Sequence, residues 1–104
     1  MALLTDHTGR AIRLTDERRA HIFEHPEMVG MEEAPTRCLS EPDLVTASRV
    51  DADAAMYYRF LPTTPVGAKF VVVVVKTTPD DAFLVPAYLT DKVKTGRVLW
   101  SRER

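Results

Sequence analysis

Six apolar residues run without a break from Phe70 to Val75, five of them valine, and Lys76 closes the run. A surface strand alternates apolar with polar, so half of such a run would stand in water. β-branched side chains favour the extended backbone. A short continuous apolar run between turn residues therefore predicts a strand covered on both faces. The rest of the chain has to supply two covers and a strand neighbour on each side.

A chain of 104 residues is enough for one such domain. Residues 1–9 carry no period and are expected as a flexible start, which leaves residues 10–104 as a single domain. Cys38 is the only cysteine, which excludes an internal disulfide and a cysteine zinc cluster. It fits a reducing, cytoplasmic setting. No apolar run reaches the roughly 20 residues of a membrane helix, and the N-terminus lacks a basic-then-apolar secretion signal. A membrane is therefore not an expected partner.

The remaining elements are read from period and punctuation. Arg10 to Leu14 alternates and predicts a short edge strand. Thr15 before Asp16 and Glu17 is a helix start, with a hydroxyl cap and acids in the first turn. That helix runs to about His25, ahead of Pro26. Met31, Ala34, Cys38 and Leu39 follow helical spacing. Pro35 fits a first turn, giving a second helix from about Ala34 to Glu41. From Asp43 the period is two, with strands over Leu44–Val50, Ala55–Leu61, the valine run and Phe83–Thr90, and a short last strand at Val98–Trp100. Pro86 lacks a ladder donor and demands an edge or a bulge. Helices followed by strands predict an α+β fold: two N-terminal helices packed on a four- to five-stranded antiparallel meander. Trp100, the Pro62–Gly67 loop or a second subunit would cover the other face of the valine strand.

Net charge is −1, which argues against a generic polyanion binder, but it is unevenly spread. Residues 15–41 hold three basic and seven acidic side chains, whereas residues 90–104 hold five basic (Lys92, Lys94, Arg97, Arg102, Arg104) and two acidic. The basic C-terminal edge could meet phosphate; the plainer reading is a solvated edge.

Several side chains could carry chemistry. On a wheel of about 100° per residue, Leu14, Arg18, His21, Ile22 and His25 share one arc, which Leu14 and Ile22 should turn toward the core. Polar groups carried there must be paired: either a site uses them, or the histidines pack by their rings and find backbone partners. His21 and His25 have the spacing of two metal ligands on a helix, but a metal site needs a third ligand and no further Cys or clustered His follows. Neither metal nor cofactor is expected. Arg59 inside a strand can bind phosphate bidentately. Tyr88, Thr90, Lys92 and Lys94 gather hydroxyls and amines near the end of the fourth strand. No nucleophile elbow, glycine-rich phosphate loop or dinucleotide fingerprint is present.

The order of these residues resembles one family. Arg13-Leu14-Thr15 leads a helix with His21-Ile22-x-x-His25-Pro26-Glu27. Then come Cys38-Leu39-Ser40-Glu41-Pro42-Asp43, Tyr57-Tyr58-Arg59, the valine strand with Lys76, and Ala87-Tyr88-x-x-Asp91-Lys92. Over about residues 10–100 this resembles the phage- and toxin-associated branch of the barnase–EndoU–colicin–RelE-like nuclease superfamily. The resemblance implies helices on an antiparallel sheet and metal-independent RNA cleavage through the 2′-OH. His21 would be the acid/base, with Arg59, Tyr88 and Lys92 completing the catalytic set and the cations stabilising phosphate charge. Arg18, His25, Tyr58, Thr90 and Lys94 would bind substrate, a tyrosine stacking a base. Pro86 departs from the family, which often has a threonine before the Ala-Tyr pair. Two readings follow: a small endoribonuclease, or a non-catalytic domain of that fold that binds nucleic acid or protein. RNA or a protein is the expected partner, and the oligomeric state is open.

Overall fold

The two covers demanded by the valine run come from different parts of the chain. The computed structural model describes residues 1–102; Glu103 and Arg104 of the C-terminal charge count lie outside them. The elements are β1 (Ala2–Thr5), β2 (Ala11–Leu14), α1 (Asp16–Glu24), a 3-10 turn (Pro26–Met28), α2 (Ala34–Ser40), β3 (Leu44–Ala47), β4 (Ala54–Leu61), β5 (Lys69–Thr77), β6 (Ala82–Thr90) and β7 (Val98–Ser101).

The strands form one seven-stranded sheet in the order β1-β2-β6-β5-β4-β3-β7. This corrects the expected four- to five-stranded antiparallel meander under two helices: the sheet is larger and mixed, and both helices are short. Two departures produce it. The start expected to be flexible, residues 1–9, supplies β1, which pairs antiparallel with β2. β2 is consequently an interior strand, parallel to β6 through Arg13 and Phe83. β7 then leaves the meander and pairs with β3 at the far edge. Period two identifies a strand but does not say which edge it joins, so neither placement could be read from alternation.

β5 is central. Register puts Val71 opposite Arg59, Val73 opposite Tyr57 and Ala87, and Val72 opposite Tyr58 and Tyr88. Val71, Val73 and Val75 thus share the face that carries the helices, where Ile12, Leu14, Ile22, Met28, Cys38 and Leu39 complete the main core. Val72 joins Met56 and Tyr58 on the other face, with Val74, Tyr88 and Val93 packed around them. The cover on that face is the segment 91–97, which crosses from the end of β6 to the start of β7. Neither Trp100 nor the Pro62–Gly67 loop provides it; Trp100 pairs with Val45 and packs on the helix side. This strap is held at its start by the Lys69–Asp91 ion pair and in its middle by the Lys94 amide, which donates to the Tyr58 hydroxyl at 3.2 Å. At its end Gly96 passes so close to β3 that a Cβ there would sit 2.8 Å from the Ala47 carbonyl oxygen.

The helices cover only part of their face. α1 begins at Asp16 with the Thr15 hydroxyl capping the Arg18 amide, so Leu14 belongs to β2 and not to the helix. Without Leu14 the apolar arc shrinks to Ile22 and its neighbour Phe23. Arg18, His21 and His25 therefore stand exposed instead of facing the core. The remainder of this face lies under the β1–β2 turn. There Asp6, 6% exposed, accepts from the Thr8 hydroxyl and amide and the Arg10 amide at 2.7–3.0 Å, and from the Tyr57 hydroxyl at 2.8 Å. Burial alone would raise the Asp6 carboxyl, but these hydrogen bonds outweigh it and hold it below its usual range. Burial, with Asp6 adding to it, pushes the Tyr57 hydroxyl up. His7 packs on Trp100 with ring centroids 4.6 Å apart and the rings tilted by 48°.

Pro86 lies at a register shift. Val73 pairs with Ala87 but Val75 pairs with Leu84, so β6 carries an extra residue there. The bulge removes the need for a proline donor.

Candidate binding site on the strap face

The strap face contains a cavity of about 390 Å³. Ala54 and Met56 of β4 with Val74 of β5 make its floor. Val85 and Tyr88 of β6 form one wall, Lys94 and Thr95 of the strap another, and the β3–β4 turn from Ser48 to Asp51 a third. The bulge at Pro86 is what lets both Val85 and Tyr88 border the same space, since the extra residue interrupts the alternation that would send residues three apart to opposite faces of a regular strand.

The rim is cationic. Lys76 Nζ sits 3.1 Å from Asp51. The Asp53 amide and then Lys76 hold the Asp51 carboxyl below its ordinary range. Arg49 and Lys94 are exposed on opposite walls, and Lys92 and Arg97 are exposed on the strap. Burial raises the hydroxyl of Tyr88, the tyrosine on the cavity wall, so it is a neutral donor near neutral pH; Tyr58 is fully buried behind it and accepts from the Lys94 amide. The result is an apolar floor, a tyrosine wall and flexible ammonium and guanidinium groups above it. Such a site can hold a flat or aliphatic body from below and an anion from above. No histidine lines it.

The residues singled out for catalysis and substrate binding divide between the faces. Tyr58, Tyr88 and Lys94 come together on the strap face, with Thr90 opposite Phe70 at the foot of β6 and Lys92 exposed on the strap. The Thr90 hydroxyl donates to the Lys92 carbonyl at 3.3 Å. Arg18, His21 and His25 are on the helix side, where the two imidazoles meet edge to face at 5.9 Å. Arg59 shares the helix face through its register with Val71, and its guanidinium donates to the Glu41 carbonyl at the end of α2. A cation at a helix C-terminus answers the free carbonyls there. His21 and Arg59 are thus separated by the sheet from Tyr88 and the strap lysines.

Arg49, Asp51, Met56 and Val85 also line the cavity and carry no motif, while Val74 belongs to the valine run. Lys76 at the end of the valine run and Pro86 at the β6 bulge are the signals in the sequence that could have led there, although they predict only the end of a strand and an edge or bulge. Cys38 is not part of any site: it is buried, its Sγ lies 3.4 Å from the Tyr57 carbonyl, and burial pushes the thiol up to about 12.

No family model, curated protein or solved structure matches the chain.

Proposed function

We propose that this chain is a non-catalytic domain that binds single-stranded nucleic acid on its strap face, with one unstacked base in the cavity. The observation that carries this reading is the division of charge and aromatic surface between the two faces. Arg49, Lys76, Lys92 and Lys94 surround or flank a cavity with a tyrosine wall. Of the acids near them, Asp51 and Asp91 are ion-paired to Lys76 and Lys69, and Asp53 is exposed on the same turn as Asp51. The helix side exposes Asp16, Glu17, Glu24, Glu32, Glu33 and Glu41 against Arg18, Arg19 and Arg37, a net acidic surface. A basic track with an aromatic platform is the chemistry that holds a single strand, the base stacking on the ring while cations meet phosphates. The whole-chain charge of −1 does not oppose this, because the local field and not the sum steers a polyanion.

The endoribonuclease reading requires His21 and Arg59 at the same phosphate as Tyr88 and Lys92, across the thickness of the sheet. One experiment separates the two. Mixed-sequence single-stranded RNA is titrated with the protein in EDTA, and the same samples are run on a denaturing gel. Saturable, salt-sensitive binding with intact RNA is expected. Cleavage that His21→Ala abolishes would overturn the non-catalytic reading. Absence of binding at low salt would remove nucleic acid as the ligand.

A further inference from the structure

A second cavity, also about 390 Å³, lies on the opposite face under the β1–β2 turn, and its outer wall is Leu99 and Trp100 of β7. β7 ends the sheet, and its ladder partner is β3. An edge strand is commonly blunted by charge or proline. β7 carries neither; its sequence is Val-Leu-Trp-Ser, with Val98 57% and Leu99 48% exposed. The register shift between Val45 and Thr46 leaves Leu99 as the extra residue of β7, and Leu99 also lines the groove. Arg97 precedes the strand and Arg10 stands on the groove's rim, both exposed.

We infer that the Val98–Trp100 edge is a docking site for an extended peptide segment of another protein, apolar at its centre and acidic at its flanks. The strand edge selects an extended backbone, because only a strand returns hydrogen bonds to a strand. The groove behind it selects an apolar side chain, which would pack on Leu99 and the indole of Trp100. Arg10 and Arg97 select the acidic flanks. The bulge at Leu99 keeps the ladder short, so the side chain in the groove and the flanking charges carry specificity. This site is on the other face from the nucleic-acid cavity and does not depend on that reading.

Trp100 is the only tryptophan, so its emission reports the site directly. The probe is an acetylated, amidated seven-residue peptide with one phenylalanine among valines and two glutamates at each end. Titration should give a saturable change in Trp100 emission. N-methylation of the peptide's alternate backbone amides should weaken binding at least 10-fold, and Leu99→Lys, at an exposed position that does not threaten folding, should do the same. Arg10→Glu should weaken the glutamate-flanked peptide and favour its lysine-flanked counterpart. Equal binding of the N-methylated peptide would overturn strand addition. No response to the parent peptide at 1 mM would overturn the docking site. Concentration-dependent self-association lost in Leu99→Lys would assign the edge to a second copy and overturn the peptide partner.

Discussion

Neighbouring valines of one strand do different work. Val73 lies under the helices in a closed core, 0% exposed; Val74 faces the strap and forms the floor of an open cavity. The helix side is packed by Ile22, Met28, Cys38 and Leu39 and presents acids to solvent. The strap side is closed by seven residues of irregular chain, 91–97, and presents bases. A helix buries a continuous stripe, while a crossing strap touches the sheet at points such as Val93 and leaves gaps between them. Around β5 the same sheet is therefore the base of a closed core on one face and the floor of an open cavity on the other.

The sharpest way to break this comparison is a matched pair. Val73→Asp buries a carboxylate with no partner, which costs several kcal/mol, comparable to a whole stability of about 5–15 kcal/mol. It should give no cooperative melt. Val74→Asp, in the next position, should fold and melt cooperatively with a loss of about 1–3 kcal/mol, while nucleic-acid binding disappears. Two variants equally unfolded in circular dichroism would mean that both faces are closed cores.

Asp6 tests the helix side away from the helices. Its folded pKa is held below its ordinary value of about 3.9. The carboxylate's contribution is therefore complete above that value and is lost as pH falls through the folded pKa. Asp6→Asn should lose about 1–3 kcal/mol at pH 7, with the gap from wild type closing as the solution is acidified below pH 4. A gap that stays constant from pH 7 to pH 2 would show that shape, not charge, holds the β1–β2 turn.

On the strap side the corresponding polar anchor is neutral. Tyr58→Phe removes the acceptor of the Lys94 amide and should cost about 1 kcal/mol, or roughly 4–8 °C in melting temperature at this size. Because that bond fixes one wall of the cavity, binding should weaken alongside stability. Unchanged binding with lowered stability would detach the strap from the site.

Much of this architecture was legible in residue types. The valine run located the central strand, Pro86 its neighbour's bulge, and Pro35 the first turn of α2. Thr15 marked the start of α1, yet counting Leu14 into the helix turned Arg18, His21 and His25 toward a core they do not face. The cap itself was the signal that Leu14 was still extended. β1 escaped because Ala2–Thr5 has no polar alternation to mark it, and its order comes from pairing with β2 and from Asp6 reaching Tyr57, 51 residues away. The cavity was half visible: Tyr88 and Lys94 were singled out and Val74 lies in the valine run, but Arg49 and Val85 have no pattern, because the crossover that gathers them is fixed by β7 choosing the β3 edge. Arg59 looked like a phosphate ligand because an arginine inside a strand needs an anion or an acceptor. The Glu41 carbonyl at the end of α2 satisfies that need, and nothing in the local sequence reveals it.

The smallest expected effect concerns charge alone. Lys94 is exposed, so Lys94→Ala should change stability by less than about 0.5 kcal/mol. If its ammonium meets a phosphate of the bound strand, removing it releases one fewer counterion. The slope of log K against log salt should then fall by about 0.7 for a single strand. Glu24→Gln, on the exposed surface of α1, removes an acid from the other face. At moderate salt, with a Debye length of about 8–10 Å, it should leave that slope unchanged. Slopes measured by fluorescence anisotropy between 50 and 200 mM salt distinguish the outcomes. A Lys94→Ala slope equal to wild type would move the phosphate path off the strap. A Glu24→Gln slope that changes would mean that the ligand wraps both faces, and the division of labour between them would fail.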